Sequence, residues 1–115
     1  MDTNALADDL IQAWNSHDLD RILSHYSDAF ELSSPIVRRV RGIADGRLEG
    51  KPAVRQWWQQ VLDKVPDLGI ELVGVSEGVR STAVIQRISG QPGLGISIFR
   101  FDERGLIGSE EFHAG

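Results

Sequence analysis

No cysteine occurs in the 115 residues. That excludes a disulfide framework and thiol chemistry, and it fits a reducing compartment. Long apolar runs are missing too, and none approaches the ~20 residues a membrane-spanning helix needs. Positive charge is scarce: 12 Lys and Arg stand against 17 Asp and Glu, for a net charge of −5. A nucleic-acid surface needs a basic field, so that partner class is disfavoured. The opening MDTNALADDL carries acids where a secretory signal needs a basic start and an apolar run. The glycines are scattered among turns and form neither GxGxxG nor GxxxxGK[ST], so no phosphate cradle is indicated. Internal repeats and low-complexity tracts are absent. The expectation is one soluble, cytoplasmic domain over residues 1–115, binding neither nucleic acid nor membrane.

What is present is organised around the segment from Pro52 to Val65. Val54, Trp57, Trp58, Val61, Leu62 and Val65 recur at three- and four-residue intervals, which predicts an α-helix with one buried stripe. Arg55, Gln56, Gln59, Gln60, Asp63 and Lys64 fall on its wet face. Pro52 suits a first turn and Pro66 ends the pattern. Two earlier helices are predicted in the same way. One carries Leu6, Leu10, Ala13 and Trp14; the other carries Leu19, Ile22, Leu23 and Tyr26, with Asp18 as its cap. Ala29 to Ser33 reads as a short strand. Ile36 to Gly50 reads as a solvated loop or edge hairpin, or else as a mouth loop whose arginines meet an anionic ligand. Four runs then read as an antiparallel meander: Gly69–Ser76, Val79–Ser89, Gly95–Phe101 and Leu106–His113. The predicted class is α+β, a curved antiparallel sheet packed against three N-terminal helices.

The stretches Trp14-Asn15-Ser16-His17-Asp18-Leu19-Asp20, Tyr26-Ser27-Asp28 and Ser34-Pro35 follow one another in a suggestive order. Gly50-Lys51-Pro52-Ala53-Val54-Arg55 and Phe99-Arg100-Phe101-Asp102-Glu103-Arg104-Gly105 continue it. Together they resemble the SnoaL-like branch of the nuclear transport factor two-like superfamily. The resemblance spans almost the whole chain and implies a cone-shaped α+β barrel with a small-molecule pocket at its open end. Members include ketosteroid isomerase, polyketide cyclases, epoxide hydrolases and proteins that catalyse nothing, so the fold alone does not carry a function.

The isomerase's base, an Asp before a Pro, corresponds to Ser34, and its two oxyanion donors correspond to Leu10 and Ser97. A serine hydroxyl without its own base cannot replace a carboxylate. Ketosteroid isomerization is therefore not expected. The late aspartate that the cyclases use also has no counterpart after Asp102.

Of the remaining titratable groups, Glu110 is the candidate acid or base. Matching the last strand to the isomerase points Glu110 and Phe112 into the pocket, where an apolar surrounding would raise the carboxyl's pKa. The alternative is a solvated or arginine-paired glutamate near the sheet edge. Tyr26 is the candidate hydrogen-bond donor of the same chemistry, and when buried its hydroxyl needs a polar partner, for which Ser34, Ser97 or a ligand are the candidates. Trp14, Phe30, Ser34, Trp58, Ser97 and Phe112 are candidate ligand contacts, although buried aromatics are more often plain core. Arg38 and Arg39 are candidate mouth residues for an anionic group. Glu111 and His113 supply at most two metal ligands, where a site needs three or four. No metal and no cofactor are expected.

Three functions stay open: a proton-transfer enzyme, a non-catalytic binder of a small apolar or weakly anionic molecule, and a dimerisation module. Ile96, Ile98, Glu111 and His113 would share the outer sheet face, and a homodimer through it is expected.

Overall fold

The computed structural model describes residues 2–115 and runs α1 (Thr3–Asn15), α2 (Leu19–Leu23), β1 (Tyr26–Ser33) and α3 (Pro35–Arg41). It continues with β2 (Arg47–Glu49), α4 (Lys51–Lys64), β3 (Ile70–Gly78), β4 (Ser81–Ile88), β5 (Leu94–Phe101) and β6 (Ile107–Ala114). The six strands form one sheet in the order β2-β1-β6-β5-β4-β3. The expected α+β arrangement of helices on a curved sheet is the one observed. α1 packs on β3 and α2, α4 on β1 and β2, and α3 on β6. Among the described residues no helix is long and apolar enough to cross a membrane.

Three details differ from the sequence expectation. Pairing is antiparallel except between β1 and β6, the second pair in from the β2 edge, which run parallel. This pairing joins the start of the chain to its end, which the local alternation of strand residues cannot signal. The described residues form four helices rather than three, because part of the predicted loop forms α3. Ser34 caps it, its Oγ accepting from the Ile36 N–H at 3.1 Å, with Pro35 in the first turn. The helix ends at Gly42, whose φ of 70° suits a residue without Cβ. Finally, α2 ends at Leu23, and Tyr26 opens β1 instead of completing a helical stripe. Tyr26 stands opposite Ile107, and the Ile107 N–H bonds the His25 carbonyl at 2.9 Å. A strand ladder outweighs a further helical turn at this point, because a five-residue helix has few internal bonds to extend.

The central stripe holds as expected. Val54, Trp57, Trp58 and Leu62 of α4 are buried, with Val61 and Val65 packed against the same core. The turn after α1 is fastened across the molecule. Asn15 accepts from the Ile70 N–H at 2.6 Å and donates to the Ile70 carbonyl at 2.9 Å. His17, at a φ of 55°, reaches the Leu68 carbonyl through Nε2 at 2.9 Å. The Trp14-Asn15-Ser16-His17 stretch thus ties α1 to the start of β3 and fixes one wall of the space beneath the helices. Irregular register in β1, β3 and β6 marks bulges, which bend and twist strands locally and suit a sheet that curls around that space.

Candidate functional site

The inner face of the sheet follows from register. Leu32 of β1 stands opposite Glu110 of β6, Glu110 opposite Phe99 of β5, and Phe112 opposite Ser97. Ser97 faces Val84 of β4, and Gly95 faces Gln86. Because side chains alternate, these residues all point toward the helices. Between sheet and helices lies a cavity of about 280 Å³. Aromatic and aliphatic side chains make most of its wall. The polar groups that reach it from the sheet side are Tyr26, Gln86, Ser97 and Glu110. Its exposed lining residues, Val40, Lys64, Ser89 and Gln91, mark the rim.

Glu110 is only 8% exposed. The Tyr26 hydroxyl donates to its Oε1 at 2.8 Å, and Ser97 bonds the same carboxyl. Behind them the Gln86 Nε2 donates to Ser97 Oγ at 3.0 Å. A chain of polar side chains, Gln86, Ser97, Glu110 and Tyr26, therefore crosses the inner face from β4 to β1. Burial lifts the Glu110 carboxyl to about 7, against a smaller downward pull from its bonds with Tyr26 and Ser97. Burial and the neighbouring Glu110 charge push the Tyr26 phenol well above its usual value, so it stays a donor. Near neutral pH the carboxyl is populated both with and without its proton, as a group that gives and takes protons requires.

Around this pair sits an aromatic cluster. The Tyr26 ring lies 4.5 Å from Phe30, 5.3 Å from Trp58 and 6.3 Å from Phe99, centroid to centroid. Trp14 meets Trp58 edge-on at 5.1 Å.

Several candidates from the sequence come together here: Trp14, Tyr26, Ser34, Trp58, Ser97, Glu110 and Phe112 all line the cavity. Leu10, which stands at the isomerase's tyrosine position, lines it as well. Two expectations need correction. Phe30 is fully buried and backs the Tyr26 and Trp58 rings without lining the cavity. Arg38 and Arg39 do not line it either, because α3 turns Ile36 and Val40 toward the space instead. The partner of Tyr26 is also settled: its hydroxyl goes to Glu110, while the Ser34 oxygen is engaged in capping α3.

Sequence reasoning missed Gln86, Gln60 and Lys64, which also line the cavity. Strand parity alone identifies Gln86, a polar residue in step with Val84 and Ile88. Gln60 and Lys64 leave the wet face of the central helix at its edge and reach the opening from there. Among the described residues no three His, Cys, Asp or Glu side chains gather where they can hold a metal ion. Glu111 and His113 bond each other at 2.5 Å and are exposed.

The description of a SnoaL-like domain matches residues 7–109. The chain belongs to the SnoaL-like family. A SnoaL-like protein of unknown function from Burkholderia thailandensis is 37% identical, with a TM-score of 0.93 over 97% of this chain and 92% of that one. A nuclear transport factor two-like protein of unknown function from Cytophaga hutchinsonii superposes with a TM-score of 0.76 at 14% identity, over 100% of this chain and 91% of that one. An epoxide hydrolase/cyclase-like enzyme of pyran ring formation in the polyether salinomycin gives a TM-score of 0.70 at 18% identity, covering 100% and 95% of the two chains. The last two likenesses show the fold alone. No curated protein matches the chain. In this SnoaL-like chain the polar groups at the cavity are therefore the guide to chemistry.

Proposed function

We propose that this SnoaL-like chain binds a small, mainly apolar molecule in the cavity and moves a proton on it with Glu110. The observation that carries the reading is a carboxyl buried on the wall of an apolar cavity, poised near neutrality and gripped by Tyr26. A desolvated carboxylate is a stronger base than one in water, and its protonated form is an acid usable near neutral pH. Tyr26 acts as a positioning residue, because its one O–H is committed to Oε1. An apolar lining with a few fixed polar groups is the usual character of a small-ligand site. The salinomycin cyclase-like enzyme is an analogy in fold, compatible with proton-transfer chemistry.

A second reading is a binder without catalysis. It is favoured by the same contacts: Tyr26 and Ser97 already satisfy much of the carboxyl within the protein.

One probe reaction separates the two. In Kemp elimination of 5-nitrobenzisoxazole, a base removes the ring C–H proton, the N–O bond breaks, and a coloured cyanophenolate leaves. The reaction needs a desolvated base and no oxyanion hole, so the serines at positions 34 and 97 are no obstacle. The expected result is turnover that rises with pH through a midpoint near 7 and falls at least ~100-fold in Glu110→Gln. Binding of the probe, seen as a change in tryptophan fluorescence, with equal slow turnover by both proteins would leave the non-catalytic reading.

A further inference from the structure

The cavity has an uneven rim, and its charge is the reverse of the molecule's. The chain carries a net charge of −5, yet the last turn of α3 holds Arg38, Arg39 and Arg41, and the last turn of α4 holds Lys64. None of these four makes an ion pair among the described residues, and neither do Arg80, Arg87 and Arg100 elsewhere, whereas Arg21, Arg47, Lys51, Arg55 and Arg104 all do. A cation in a last turn offsets the helix dipole, which accounts for their presence but not for where Arg41 is held. Its Nη2 donates to Gln60 Oε1 at 2.9 Å, and its guanidinium lies 5.3 Å from the centre of the Trp57 ring. Gln60 and Trp57 both line the cavity, as does Lys64, one helical turn beyond Gln60. Arg41 is thus docked against the cavity's own wall with its charge unanswered by a carboxylate.

We infer that the ligand of this cavity is an amphipathic acid, its apolar body inside and its anionic end at the rim between Arg41 and Lys64. The inference rests on the pocket reading above and adds a substrate class and an orientation to it. The anion belongs at the rim because the inner end already holds Glu110, whose ionised form would repel a second negative group. An apolar interior with a cationic rim selects against both a plain hydrocarbon and a small hydrophilic anion. The net negative field of the rest of the surface leaves this opening as a favoured approach for an acid.

Decanoate and its neutral counterpart 1-decanol make a matched pair of probes, and calorimetric titration of the full chain reads both. The expected result is decanoate binding about fivefold or more tighter than decanol at low salt, the preference shrinking between about 20 and about 300 mM salt. In the double variant Arg41→Gln, Lys64→Gln the ratio of decanoate to decanol affinity should fall to about one, with measurable decanol binding showing that the cavity persists. Decanol binding as tightly as decanoate, or a decanoate preference that survives the double variant, would overturn the inference and leave the pocket standing. If neither probe binds the unmodified chain, the pocket reading itself fails and takes this inference with it.

Discussion

Glu110 and Glu111 are neighbours on β6 with identical side chains, and the structure gives them opposite circumstances. Glu110 points inward, 8% exposed, held by Tyr26 and Ser97. Glu111 points outward with a half-exposed side chain and meets His113 at 2.5 Å. The strand's two-residue period puts one carboxyl on an apolar cavity and the other in water. Chemical capacity in this chain is therefore a property of the face rather than of the residue type.

The sharpest break of the comparison is to remove each carboxylate in turn. Glu110→Gln should lower Kemp elimination at least ~100-fold, whereas Glu111→Gln should leave it within about twofold. Equal losses in the two variants would mean that the face does not decide.

Stability against pH gives the next largest contrast. Glu110 has its folded pKa raised from 4.5 to about 7. Below about 4.5 both folded and unfolded chains carry the proton, and the group's contribution is fully present. As pH rises through that window the unfolded chain releases its proton first, so stability falls with pH and levels off above about 7. A difference of one in pKa corresponds to about 1.4 kcal/mol, so the loss from the acid limb to the plateau is a few kcal/mol. Glu110→Gln, which keeps an acceptor for Tyr26, should abolish that slope in denaturant titrations, and Glu111→Gln should not. A slope unchanged in Glu110→Gln would mean that the carboxyl is not desolvated as its burial implies.

Tyr26→Phe sharpens the same point at smaller cost. The tyrosine's hydrogen bond lowers the Glu110 pKa against the larger effect of burial. Its removal should move the midpoint of the Kemp pH profile upward by up to about one pH unit, with the maximum rate at high pH largely kept. A downward move would assign the tyrosine a different role.

Sequence patterns reach the inner face more fully than the opening. The α4 stripe and the alternation of β5 and β6 are legible because burial imposes strict periods on them. Once resemblance anchors the parity, Glu110, Ser97 and Phe112 follow. The Glu110–Tyr26 bond is only half legible. Both residues are candidates from the sequence, but their meeting depends on the parallel β1–β6 pairing, a contact across 84 residues. α3 escapes the pattern search because three arginines and a short length hide its apolar side. The Ser34-Pro35 start and Gly42 stop are nevertheless present in the sequence as cap signals. Without α3, the rim is misassigned to Arg38 and Arg39, whereas Arg41 is the arginine docked against cavity-lining side chains.

The smallest effect on the site is expected from changing the outer face. There Ile85 stands opposite Ile96, and Ile98 opposite both Ala83 and Glu111. Ile85, Ile96 and Ile98 are half-buried in the single chain, leaving apolar area in contact with water in the middle of the sheet. Covering such a row with a second copy of the same face removes that area, at roughly 25 cal/mol per Å² before the costs of association. A homodimer through this face should therefore give, by light scattering at micromolar concentration, twice the 12.7 kDa of one chain. Ile96→Lys with Ile98→Lys should return it to a monomer by placing charge where the two copies meet. Because both side chains point away from the cavity, the Glu110 pH midpoint should stay within a few tenths of a pH unit. A monomer in the unmodified chain would refute the dimer. A midpoint that moves with the outer lysines would show that the two faces are coupled through the sheet and not independent, as their opposite environments imply.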